Sequence, residues 1–286
     1  MHRGSGVLLK RSLLLAGCAF ALAACETMPS AGPRLDPQAV AASNVNVASL
    51  SEVVARNPND PEAYNTRGSA LARAGKYKDA IADFDAAVRL DPNMAKAYAN
   101  RGLAYASMGQ TQAALADYER AITANPNYVG AYVGRGNLYR QANQYEMALN
   151  DYNRAVEIDR QNAEAFHNRG LIHQARGQHM FAVEDFNRAI TVDANATPPR
   201  IARGYSYLAL NDPRTALDDF NTALAAAPSS AEGWIGRGQA YEAMNDRERA
   251  KASYARAVQV APKNDAAREA FNRTGGKAGQ SYSLTN

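Results

Sequence analysis

After Cys25 the sequence contains no cysteine; its two cysteines, Cys18 and Cys25, both lie near the start. Disulfides therefore cannot hold the folded region together, and its stability must come from packing. Charge of one sign is also missing. There are 32 Lys+Arg against 28 Asp+Glu, and three of the positives, Arg3, Lys10 and Arg11, precede residue 25, leaving 29 against 28. Such a balance gives no electrostatic footprint for nucleic acid, and none is expected as a partner. No G-x-S-x-G, H-E-x-x-H or phosphate loop occurs. Gly134-Arg135-Gly136 and Gly236-Arg237-Gly238 begin like a dinucleotide fingerprint but lack the third glycine and a preceding strand. Histidine is scarce. His167, His173 and His179 stand six residues apart, which turns each about 240° from the last on a helix. They cannot share a face, so no metal site is expected. No catalytic or cofactor-binding residue is expected either, and the chain does not read as an enzyme.

What is present begins with a leader. Arg3, Lys10 and Arg11 give a positive start, and Ser12 to Ala24 is an apolar run of 13 residues. A membrane-spanning helix needs about 20, whereas an export signal needs no more than this. The run ends in Leu22-Ala23-Ala24-Cys25, which resembles the lipobox of bacterial lipoproteins. The resemblance implies cleavage after Ala24, removing residues 1–24, and a diacylglycerol on Cys25. Leu15-Ala16-Gly17-Cys18 is a second match, so Cys18 stays an alternative, as does a plain signal peptide. Glu26 follows the Cys, which by the enteric sorting rule implies the outer membrane, facing the periplasm, with the inner membrane as alternative. Residues 25–45 are rich in Ala, Ser, Pro and Asn and are expected to form a flexible tether.

The rest of the chain is periodic. An Arg-Gly pair recurs at 67–68, 101–102, 135–136, 169–170, 203–204 and 237–238, always 34 residues apart. A fixed period of this size signals a solenoid. With Pro61 as position 1, position 8 is Gly in every unit and positions 20 and 27 are Ala in every unit. Position 24 is always aromatic; position 4 is aromatic except at Arg200; position 32 is Pro at Pro92, Pro126, Pro228 and Pro262. These residues resemble the tetratricopeptide repeat. The resemblance implies an all-α fold, a right-handed superhelical solenoid of six helix-turn-helix repeats: 61–94, 95–128, 129–162, 163–196, 197–230 and 231–264. Residues 46–60 are expected to cap the N-terminal end, with Leu50 and Val53 at core positions, and 265–274 the C-terminal end. A disordered tail over 275–286 is expected.

Gly inside a helix costs about 1 kcal/mol relative to Ala, so a close approach of the two helices is expected, with the Ala at position 20 facing the Gly at position 8 and the aromatics at 4 and 24 filling the space around that contact. Arg160 and Ala194 replace the Pro at position 32, and a looser turn is expected there. Thr197-Pro198-Pro199 reads as a stiff helix start, with a changed superhelix angle as the alternative. Position 7 is always Arg, where the family prefers a large apolar residue. Position 23 is Asp83, Asp117, Asp151, Asp185 and Asp219, then Ser253. An Arg–Asp ladder is expected, either within each repeat or from each Asp to the next repeat's Arg.

In the family the first helix of each repeat lines a concave groove through positions 2, 5, 9 and 12. In the middle repeats these are Asn137, Arg140, His167, Leu171, Gln174, Ile201, Tyr205 and Leu208, with Asn168 added at position 6. Tyr205 is the best anchor candidate, unless it fills a gap left by Arg200. The clamp that some family members use on chaperone C-termini is excluded, because Val133, Pro198 and Ala202 stand where it needs cations. The resemblance implies a lipid-anchored adaptor that gathers other envelope proteins. A secretin or pilus assembly factor is the alternative. Homodimerisation is left open.

Overall fold

The computed structural model describes residues 37–276, with side chains from residue 47. The expected leader, Cys18 and Cys25 and the stretch from 277 lie outside the described residues. Fourteen helices and no strand occur among the described residues. The first helices of the six repeats, the A helices, are α2 (Pro61–Arg73), α4 (Ala95–Ser107), α6 (Val129–Gln141), α8 (Ala163–Ala175), α10 (Thr197–Ala209) and α12 (Ala231–Ala243). The B helices are α3 (Tyr77–Leu90), α5 (Thr111–Ala124), α7 (Tyr145–Ile158), α9 (His179–Val192), α11 (Pro213–Ala226) and α13 (Arg247–Val260). α1 (Pro37–Arg56) and α14 (Asp265–Arg273) close the two ends.

The turns follow from sequence. Position 15 must be left-handed to stop helix A and start helix B. Gly75, Gly109 and Gly177 fill it in three repeats and Asn143, Asn211 and Asn245 in the others, all at positive φ. The next N–H then donates back to the carbonyl at position 11, as from Lys76 to Leu71 at 2.9 Å and Asp246 to Tyr241 at 2.9 Å. Between repeats, Asp91 and Asn125 accept from the backbone two residues on. Asp159 and Asp193 do the same, at 2.9 and 3.0 Å. The turns carrying Arg160 and Ala194 keep the same side-chain bond as the turns carrying Pro92 and Pro126 and are not looser.

The nearest neighbour of the glycine at position 8 is the aromatic ring at position 24 in most repeats. A Cβ on Gly136 would stand 2.8 Å from the ring of Tyr152, and one on Gly204 2.8 Å from Phe220. At Gly102 the Ala114 carbonyl at position 20 is as close as the ring, at 3.2 Å. Where position 6 is Gly, it clears the preceding repeat's ring as well: a Cβ on Gly134 would lie 2.4 Å from Tyr118, and one on Gly236 2.3 Å from Phe220. The two Gly-Arg-Gly sequences are thus seats for rings on both sides.

The ladder forms within repeats. Arg67, Arg101, Arg135, Arg169 and Arg203 each donate Nε and Nη2 to the Asp sixteen residues on, at 2.5–3.0 Å. The remaining nitrogen reaches back to position 25 of the preceding repeat. Arg101 Nη1 lies 2.6 Å from Asp85, Arg169 Nη1 2.8 Å from Asn153 and Arg203 Nη1 2.5 Å from Asn187. Arg200, the exception at position 4, keeps a different duty. Its Nη2 donates to the Ala194 carbonyl at 2.5 Å, as Tyr132 Oη does to Pro126 and Trp234 Nε1 to Pro228.

The N-terminal cap is longer than expected. α1 starts at Pro37, inside the stretch read as tether. Its buried core residue is Val54 rather than Val53, which is 42% exposed. α14 begins where the sequence places it, stops one residue short of the expected end and buries Ala267, Ala270 and Phe271. α10 runs straight from Thr197 with its two prolines in the first turn.

Candidate partner-binding face

Curvature follows from which helices touch. Each A helix contacts the A helix of the next repeat, while no B helix contacts the next B helix among the described residues. The A helices therefore crowd the inner side of the curve. Positions 9 and 12 face the next A helix, as the bonds of Asn137 and Gln174 across to it show.

Most polar groups there are already engaged across repeats. Asn137 Oδ1 accepts from Tyr152 Oη at 2.7 Å and from Asn168 Nδ2 at 3.0 Å, while its Nδ2 donates to Glu164 at 3.0 Å. Asn168 is buried. Gln174 Nε2 donates to the Ala202 carbonyl and to Ser206 Oγ. Near the first repeats, Asn100 donates to Asn65 and Ser69, and Lys96 pairs with Glu62. These contacts join neighbouring A helices and fix the pitch of the solenoid.

Several expected groove residues are structural. Ile201 is buried at 4% and belongs to the core with Phe220 and Ala223; Leu208 packs against that core. Leu171 packs against Phe186 and Ala202. The Tyr205 ring meets Phe220 edge-on at 5.2 Å, and its hydroxyl donates to the Glu232 carbonyl at 2.9 Å. Burial pushes this phenol above its ordinary pKa. Tyr205 is a strut between repeats 5 and 6, not a free anchor.

Two groups remain unsatisfied. Arg140 Nε and His167 Nδ1 are both buried with no hydrogen-bond partner. They come from adjacent repeats and interact: burial, reinforced by the Arg140 charge, pulls the His167 imidazole down to about 4. Burial also pushes the neighbouring Tyr152 phenol up to about 12, with Arg140 working against it. His167 lies 5.7 Å from Phe186, ring to ring. Buried polar groups usually have partners, so this pair is the part of the face that lacks one. The sequence reading missed Leu103, at position 9 of repeat 2 and 59% exposed, although its register marks it.

His179 Nδ1 is also buried without a partner, and burial lowers its pKa, whereas His173 is engaged. His173 Nδ1 lies 2.8 Å from Gln178 Oε1, and its ring stacks at 5.6 Å on Phe181. Among the described residues no cluster of three or more His, Cys, Asp or Glu is arranged to hold a metal ion. No described helix is long and apolar enough to cross a membrane.

Family models described as TPR repeat match residues 68–109 and 136–177, and models described as tetratricopeptide repeat match 95–128, 117–150 and 201–265. The chain is a tetratricopeptide-repeat protein. No curated protein matches it by sequence. Among solved structures, it is similar to the APC/C hetero-tetramer Cut9–Hcn1 at 16% identity and TM-score 0.71, over 85% of this chain and 49% of that one. It is similar to YrrB, described as a tetratricopeptide-repeat protein with an unusual peptide-binding site, at 24% identity and TM-score 0.56, over 66% of this chain and 97% of that one. It is also similar to PilW, described as a widely conserved type IV pilus biogenesis factor, at 15% identity and TM-score 0.66, over 73% and 97%. The chain spans about half the length of Cut9, and these likenesses establish the solenoid alone.

Proposed function

We propose that this tetratricopeptide-repeat protein is a non-catalytic adaptor. It is held in the cell envelope by lipid on Cys25, faces the periplasm from the outer membrane, and gathers envelope enzymes through its concave face. The observation that carries the binding role is the pair of unsatisfied buried groups, Arg140 Nε and His167 Nδ1, on the face where neighbouring polar groups are engaged. A solenoid binds proteins through such extended concave surfaces. A second reading, assembly of a pilus or secretin, draws on the likeness to PilW.

The test is capture from solubilised envelope with the lipidated protein, followed by mass spectrometry, beside the Arg140→Ala and His167→Ala variants. Cell-wall enzymes recovered by the native protein and lost with the variants support the adaptor. Pilus or secretin components support the second reading. Equal recovery with the variants removes the concave centre as the binding site.

A further inference from the structure

The sixth repeat keeps the ladder arginine and drops its partner. In five repeats the guanidinium lies beside an aromatic ring from position 4 or 11, at 5.4–5.9 Å. Arg237 lies in the same slot between both, 4.8 Å from Trp234 and 5.7 Å from Tyr241. The edge that elsewhere grips a carboxylate is thus held in place. Position 23, however, is Ser253, which is fully buried and turned away, its Oγ donating to the Arg249 carbonyl at 2.8 Å. Arg237 Nε is buried and has no partner. A second cation stands near: Arg249 lies 5.6 Å from the centre of the Tyr241 ring and is paired with Asp246 at 3.3 Å. Burial lowers the Arg237 pKa from its ordinary value, and the Tyr241 phenol offsets this only in part.

We propose that Arg237, with Trp234 and Tyr241, is a receptor site for a carboxylate carried by a partner protein, which takes the place that Asp holds in the other repeats. The five internal pairs show the bound geometry, two parallel N–H···O bonds from Nε and Nη2. Charge-assisted bidentate bonds of this kind are short and directional. Arg is suited to the task because its fork stays charged in a half-buried slot. Ser253 carries a hydroxyl where the other repeats carry a carboxylate, so the side chain that would compete is absent. The site uses position 7, not the positions of the chaperone clamp, and it stands apart from Arg140 and His167. It does not depend on the adaptor reading of the concave face.

Trp234 is the one tryptophan in the chain, so its fluorescence reports this site alone. The full chain is titrated with acetate against chloride at constant ionic strength. It is then titrated with two short peptides, one with an acidic side chain and an amidated end, one neutral with a free C-terminal carboxylate. A saturable response to carboxylates but not to chloride is expected, and the stronger peptide identifies the source. Ser253→Asp supplies the missing carboxylate internally. It is expected to raise the melting temperature and weaken peptide affinity about tenfold or more. Arg237→Gln is expected to abolish the response. No saturable response in the native chain, or an unchanged one in folded Ser253→Asp, overturns the proposal.

Discussion

His167 is neutral in the folded protein, because burial and the Arg140 charge hold its pKa near 4. In an unfolded chain the imidazole returns to about 6.5. Between those values the unfolded state binds more protons, so stability falls as pH drops from about 6.5 to 4, by roughly 3 kcal/mol at most. Denaturant titrations at pH 7 and pH 4.5 should show this loss, and His167→Gln should show less of it. Asp117 is a stronger case. It is nearly fully buried and accepts two bonds from Arg101. Asp117→Ala strips the buried Arg101 of its two-bond partner, leaving only the half-exposed Asp85, and should cost about 2–3 kcal/mol in urea unfolding. Gly136→Ala gains helix propensity but drives a methyl into the Tyr152 ring. A net loss of about 1–3 kcal/mol is expected, and a gain would mean the ring moves aside freely. The sequence disclosed the Arg–Asp pairing, since co-occurrence at fixed spacing requires contact somewhere. It also disclosed that the aromatic at 24 packs around the glycine at 8, since both recur in every repeat. Tyr205 was misread: a polar tip at a groove position looks the same whether it awaits a ligand or reaches the Glu232 carbonyl.

At the scale of elements, the regular period made the repeats legible, each holding two helices, and α14 starts at the residue expected and stops one residue short of the expected end. The start of α1 was not legible, since Pro37 to Asn46 shows no apolar periodicity. The left-handed turn residues carried a signal that was available and unused: Gly or Asn recurs at position 15. Asn211 at φ 61 tests it. Asn211→Val should lower the melting temperature by an amount corresponding to about 1–2 kcal/mol, while Asn211→Gly should not. α14 covers Trp234 and its neighbours through Ala267 and Phe271. Truncation after Asn264 uncovers that end of the solenoid and should produce aggregation in light scattering at concentrations where the full chain stays dispersed.

For the whole molecule, the anchor is the testable claim. Radiolabelled palmitate should enter the protein in the native chain and in Cys18→Ser, and be lost in Cys25→Ser. The opposite pattern assigns the anchor to Cys18. A protein so held presents its repeats to partners at a surface, where several weak contacts act together.

The ladder's backward reach adds a direction to the array. Position 25 runs Asp85, Glu119, Asn153, Asn187, Asn221, Ala255 along the chain. Arg101 reaches back to a carboxylate and Arg169 and Arg203 to amides, while Arg135 and Arg237 make no such bond. In a linear array each boundary sets how readily its neighbours part. Fraying should start at the last repeats and travel toward the first, as a zip opens from its loose end, and amide hydrogen exchange should be fastest in α12 and α13 and slowest around α4 and α5. For a chain anchored near its start, the end that loosens first is the end farthest from the membrane.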